Sequence, residues 1–239
     1  MSVTENQPFT LEDEVKFWGL QTAEHQALIY TGLIDPIYAE TLNEPLALAP
    51  SINVKTLKEE ALRLHNRWQN IIKNPKVRDA ITTMDDTLIH QNRIFELTQQ
   101  GFIGYLYPSL IEHIIQESNY FRSKLSGFGY NLNEEINFWV DHHKGETAVV
   151  EKQLDPTETE LGYIIRDYDE RLEMYKNNPD AAYRDMGIIL NTYDDLGVQL
   201  LKDMATGKVK TISPPALVEH AIREGQRAIE IFQWFRNQQ

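Results

Sequence analysis

The chain has 239 residues, with 36 acidic against 23 Lys and Arg, a formal net charge of −13 and no cysteine. The missing thiols exclude disulfides, thiolate zinc sites, iron–sulfur clusters and a cysteine nucleophile, so any metal would rest on histidine and carboxylate. The acidity argues against nucleic acid or an anionic membrane surface as partner, because both call for basic patches.

There is no uninterrupted apolar run near the ~18 residues a membrane span needs, and Met1 to Gln7 lack the basic and apolar regions of a signal peptide. A soluble, cytoplasmic protein is the expectation. The length allows one large domain or two of about 120 residues, each able to bury its own core.

In chain order, Thr10 is the expected N-cap of a helix from Leu11 to Leu33, with Asp13 as its capping-box partner. Glu14, Trp18, Gln21, His25 and Leu28 recur at helical spacing, which sets polar groups within an apolar stripe. Asp35-Pro36 ends this segment. Ile37 to Asn53, with Pro45 and Pro50, reads as a long loop, able to cover a site or to contact a second subunit of a homo-oligomer.

A second helix is expected over Val54 to Asn74, with Leu57, Ala61, Leu64, Trp68 and Ile71 on one face, and a third over Arg78 to Gln100. After a turn at Gly101 to Gly104, Pro108 opens a fourth helix to about Leu125. Ser126-Gly-Phe-Gly-Tyr130 marks the boundary between domains 1–127 and 128–239.

The second half repeats the first. Glu14-Val-Lys-Phe-Trp18 returns as Glu135-Ile-Asn-Phe-Trp139, an offset of 121 (139 − 18). That offset puts His142 opposite Gln21 and Glu146 opposite His25. The second helix returns over Thr157 to Asn177 and the third over Asp180 to Met204. The fourth begins at Pro215, where Pro-Ala-Leu-Val-Glu-His-Ala-Ile-Arg-Glu224 matches Pro108-Ser-Leu-Ile-Glu-His-Ile-Ile-Gln-Glu117 at an offset of 107 (215 − 108). No segment reads as a strand, so four helices followed by four more is the expected all-α architecture.

In both Pro-led helices His and Glu stand at i and i+4, one turn apart on one face, where a ring nitrogen and a carboxylate oxygen can meet one ion. A surface pair of this kind is worth only a few tenths of a kcal/mol. Its repetition after proline and among apolar neighbours favours a ligand role for His113, Glu117, His220 and Glu224. His142 and Glu146 repeat the i, i+4 pattern, and His25 lies on the matching stripe. His143 competes with His142. Glu112 and Glu219 are expected to point away, and Glu135 to serve a helix N-terminus. His65 and His90 have no counterpart and read as structural. Glu96, or Asp194 or Asp195, are candidate ligands from the third helices.

Together the Glu-x-x-Phe-Trp stretches, the His seven residues after the first Trp, the Asp-Pro steps and the doubled Pro-x-Leu-x-Glu-His-x-x-x-Glu resemble an uncharacterised family of tandem ferritin-like four-helix bundles, found chiefly in spore-forming bacteria. The resemblance covers nearly the whole chain. It implies two duplicated bundles and metal binding through His25, His113 and Glu117 in one and His220 and Glu224 in the other. Glu146 stands where that family has histidine, which makes the second site harder and more anionic.

The reading that follows is a metal-binding protein with about one divalent ion, iron, manganese or zinc, per bundle and no assigned reaction. There are fewer donors than a complete di-iron carboxylate site requires. A hemerythrin-like carrier or sensor would need His-x-x-x-His pairs, which the sequence lacks. The third alternative is a structural scaffold without metal.

Overall fold

The computed structural model describes residues 7–34, 53–100, 105–176 and 178–238. Among these residues the chain is all-α, with eight helices and no strand, only an isolated bridge between Leu154 and Thr211. It divides into two compact units at Gly129 and Tyr130.

The first unit opens with α1 (Leu11–Gly32), whose capping box is formed: Asp13 N donates to Thr10 Oγ1 at 3.1 Å and Thr10 N to Asp13 Oδ2 at 3.0 Å. In α2 (Val54–Lys73) the Asn53 side chain accepts from Thr56 N, and Leu57, Ala61, Leu64 and Trp68 are fully buried along one face. Helices α3 (Val77–Gln99) and α4 (Pro108–Leu125) follow, the latter with proline in its first turn, where a missing N–H costs nothing. Gly127 at φ 83° then turns the chain, a left-handed conformation that glycine reaches without penalty.

Helices α1 and α2, α2 and α3, α3 and α4, and α1 and α4 pack together. Their shared core is aromatic. Phe121 of α4 lies 6.4 Å from Trp18 of α1 and 5.7 Å from Trp68 of α2, while Trp68 Nε1 donates to Thr87 Oγ1 of α3 at 3.0 Å. Burying rings of this size stabilises the fold by on the order of 4–6 kcal/mol each before ordering entropy is subtracted.

The second unit contains α5 (Leu132–Gln153), α6 (Thr159–Glu173), α7 (Pro179–Ala205) and α8 (Pro215–Arg236). Asn131 caps α5 and Asn178 caps α7, whose first residue is again proline. Trp139, Leu172, Met186, Leu190 and Phe232 are buried at its centre. Val150, Ile165, Leu200, Val218 and Ile222 form a further apolar cluster at the other end of the helices.

Six of the expected helices lie within a residue or two of their places. The helix expected over Thr157 to Asn177 is shorter, because Asp155 Oδ1 accepts from Thr157 N at 2.9 Å and holds the chain in a turn, so α6 starts later. At its other end Tyr175 N and Lys176 N reach back three residues, to Leu172 O and Glu173 O, closing the helix in tight turns. Most of the Ile37 to Asn53 loop and the turn at Gly101 to Gly104 lie outside the described residues. No described helix is long and apolar enough to cross a membrane.

Candidate metal centre

In the first unit α4 carries His113 and Glu117 one turn apart, and α1 brings His25 against them. His113 Nε2 lies 2.9 Å from Glu117 Oε1, and His25 Nε2 lies 3.4 Å from Glu117 Oε2. All three are buried, Glu117 to 2 % exposure. One carboxylate is thus bracketed by two imidazoles, one at each oxygen.

The second unit repeats the arrangement. Glu224 of α8, with no exposed surface, has His142 Nε2 of α5 at 3.1 Å from Oε2 and His220 Nε2 of its own helix at 3.4 Å from Oε1. Glu146, one turn after His142, joins them: His142, Glu146 and Glu224 each offer a ligand atom within 4.8 Å of the others. Burial alone would push the Glu224 carboxyl up, but the imidazoles of His220 and His142 outweigh it and hold it well below the usual range.

The imidazole supplied by the opening helix comes from different turns in the two units. His25 aligns with Glu146, and His142 with Gln21, itself buried in α1. A helix presents residues four apart on the same face, so the donor can move by one turn and still reach the Pro-led helix. The predicted residues therefore gather as His25, His113 and Glu117 in one unit and His142, Glu146, His220 and Glu224 in the other.

The remaining candidates divide. Glu112 and Glu219 are exposed, as are Glu96 and Asp195, which removes the last two from any buried site in their own units. Glu135 Oε2 accepts from Trp139 Nε1 at 3.1 Å and so holds a core tryptophan. His65 Nδ1 lies 2.8 Å from the Ala23 carbonyl, and His90 lies between Gln26 Oε1 and the Leu57 carbonyl, its pKa pushed down by burial. His90 is thus built into the core, while His65 is half-buried against α1.

Around the second cluster the structure places His143 and Asp194 beside three residues that the sequence did not single out, Tyr168, Asp169 and Tyr193. His143 stacks on Tyr193 of α7 with centroids 5.1 Å apart, and Tyr193 stacks on Tyr168 of α6 at 5.0 Å. Burial first, then the nearby Glu146, pushes the Tyr193 hydroxyl well above its ordinary pKa. Beside these rings Asp194 is pushed up to about 7 and Asp169 to about 6, both mainly by burial. Aromatic residues at helical spacing look like ordinary core, so only the fold shows that these flank a polar cluster.

The donor chemistry fits a divalent cation. A fully buried carboxylate facing two imidazoles is costly unless its charge is balanced, and a metal ion supplies that balance at a single point. Mixed imidazole and carboxylate donors suit iron, manganese and zinc.

No protein-family model matches the sequence. The chain is 27% identical over 187 residues to an uncharacterised protein of Acanthamoeba polyphaga mimivirus, covering 67% of this chain and 52% of that protein. It is 26% identical over 178 residues to the spore coat protein CotB of Clostridioides difficile, covering 66% and 58% respectively. The chain thus spans little more than half the length of these relatives. A crystal structure of an uncharacterised protein from Bacillus cereus superposes with a TM-score of 0.78 at 13% identity, over 97% of this chain and 92% of that one, a likeness of fold.

Proposed function

We propose that this is a metal-binding protein made of two tandem ferritin-like four-helix bundles, residues 1–127 and 128–239, related by duplication and each holding about one divalent ion. His25, His113 and Glu117 would hold the first ion, and His142, Glu146, His220 and Glu224 the second. The observation that carries this reading is the twice-built arrangement of one buried glutamate between two imidazoles. Bound iron, manganese or zinc would supply Lewis acidity, and the first two also one-electron chemistry. The carboxylates fix the charge of each site, and all the named residues are buried.

Elemental analysis of protein purified without chelator tests this directly. Near-stoichiometric metal at two sites is expected, with about half lost in His113→Ala or His220→Ala and nearly all in the double variant. Equal metal content in wild type and double variant would sink the assignment. A second reading, a non-catalytic scaffold within a protein coat, is favoured by the likeness to a spore coat protein. It expects no stoichiometric metal and a melting temperature indifferent to chelator.

A further inference from the structure

Beside the second cluster, within the same unit, residues of α5, α6, α7 and α8 line a partly open apolar pocket of about 30 Å³. Its wall includes Val150, Ile165, Leu200, Val218 and Ile222, together with Gly197 and Tyr193. Two further wall residues, Thr147 and Ala221, directly follow the candidate ligands Glu146 and His220. Consecutive helical residues diverge by about 100°, so the cavity lies on the flank of the candidate metal site.

The space exceeds what one water needs, but a buried water also needs two to four polar partners. The wall offers few. The Thr147 hydroxyl is committed to the His143 carbonyl at 2.9 Å and to the Asp169 carboxylate. With so few polar partners the pocket holds water poorly and suits an apolar guest such as xenon.

We propose that this cavity is a binding pocket for a gas-sized apolar molecule, which makes an uncharged, apolar compound the substrate or ligand class of the adjacent site. The pocket itself needs no metal, while its role beside the site rests on the metal-binding reading.

The test is a xenon titration of chelator-treated full-length protein, followed by methyl NMR. Saturable shifts are expected at the methyls of Val150, Ile165, Leu200, Val218 and Ile222, and none at the Leu57 and Leu64 methyls of the first unit. Val150→Leu should weaken the response at least tenfold while keeping wild-type methyl dispersion, and Val218→Leu serves if that variant does not fold. An absent or unsaturable response in wild type, or an equal response in the filled variant, overturns the pocket. Xenon uptake by a protein that binds no metal keeps the pocket and removes the metal reading. Metal binding without xenon uptake does the reverse.

Discussion

Asp194 of α7 illustrates what burial does to a single carboxylate. One of its oxygens is buried without a hydrogen-bond partner and lies against Gly225 of α8, where any Cβ would collide with it. Its pKa rises from 3.8 to about 7, first through burial and then through neighbouring Asp195. Tyr193 and Tyr168 also face it. Between those two values the folded chain binds more protons than the unfolded one, so this stabilisation is complete below about pH 4 and is lost as pH rises to about 7. Asp169, pushed up to about 6, adds to the same slope, whereas the depressed Glu224 has the opposite sign and acts only at more acid pH. Asp194→Asn is therefore expected to flatten in part the fall in urea midpoint between pH 5 and 7. It should also raise the midpoint more at pH 8 than at pH 5. An equal shift at both would show that the carboxyl ionises normally in the fold. At the same scale, Thr87→Val keeps the shape of its site but strands the buried Trp68 Nε1. A loss of about 1–3 kcal/mol is expected by denaturant titration. The close approach of His and Glu on the Pro-led helices was legible because their spacing and chain position recur, whereas the partners of His142 and His143 were not. Both are buried, and only the fold shows that one meets Glu224 and the other Tyr193.

Helix by helix, legibility follows local chemistry. Proline in the first turn of α4 and α8, the Thr10 cap, and apolar stripes at helical spacing act within a few residues, so sequence alone located these segments. The end of α6 rests on turns rather than on a cap and was placed less well. The third helix of each half was located to within a residue, but its role was not legible, because α3 and α7 diverge in sequence and what α7 contributes depends on its close approach to α8. Gly197 marks that approach: a Cβ there would lie 2.8 Å from Ile222 Cγ1 and 3.1 Å from Cδ1. Gly→Ala within a helix ordinarily gains about 1 kcal/mol. Here overpacking costs about 1–3 kcal/mol, so Gly197→Ala is expected to destabilise. In a double-mutant cycle Ile222→Ala should cost less in the Gly197→Ala background than in wild type, with a coupling above about 0.5 kcal/mol. Additive effects would mean that Ile222 is not what limits the spacing of the two helices.

For the molecule as a whole, the net charge of −13 opposes compaction by self-repulsion, and any cation relieves part of it. A rise in melting temperature on adding a divalent metal is thus ambiguous at low ionic strength. Salt separates the two causes. At about 0.5 M NaCl the screening length falls to a few ångström, and general counterion effects are already saturated, while an ion in a buried site is screened far less. Ligand chemistry gives a second separation. Magnesium prefers oxygen donors and gives up its waters reluctantly, whereas manganese, iron and zinc accept the imidazoles of His25, His113, His142 and His220. Chelator-treated protein in high salt is therefore expected to be stabilised by manganese or zinc and not by magnesium. At one hundred times the dissociation constant each site would contribute about 2.7 kcal/mol, a rise on the order of 10 °C for a unit of about 110 residues. His113→Ala and His220→Ala should each remove part of that rise, and the double variant nearly all of it. If magnesium matches manganese, or the double variant responds like wild type, the stabilisation comes from surface charge. The buried histidines and glutamates would then be holding one another without a metal.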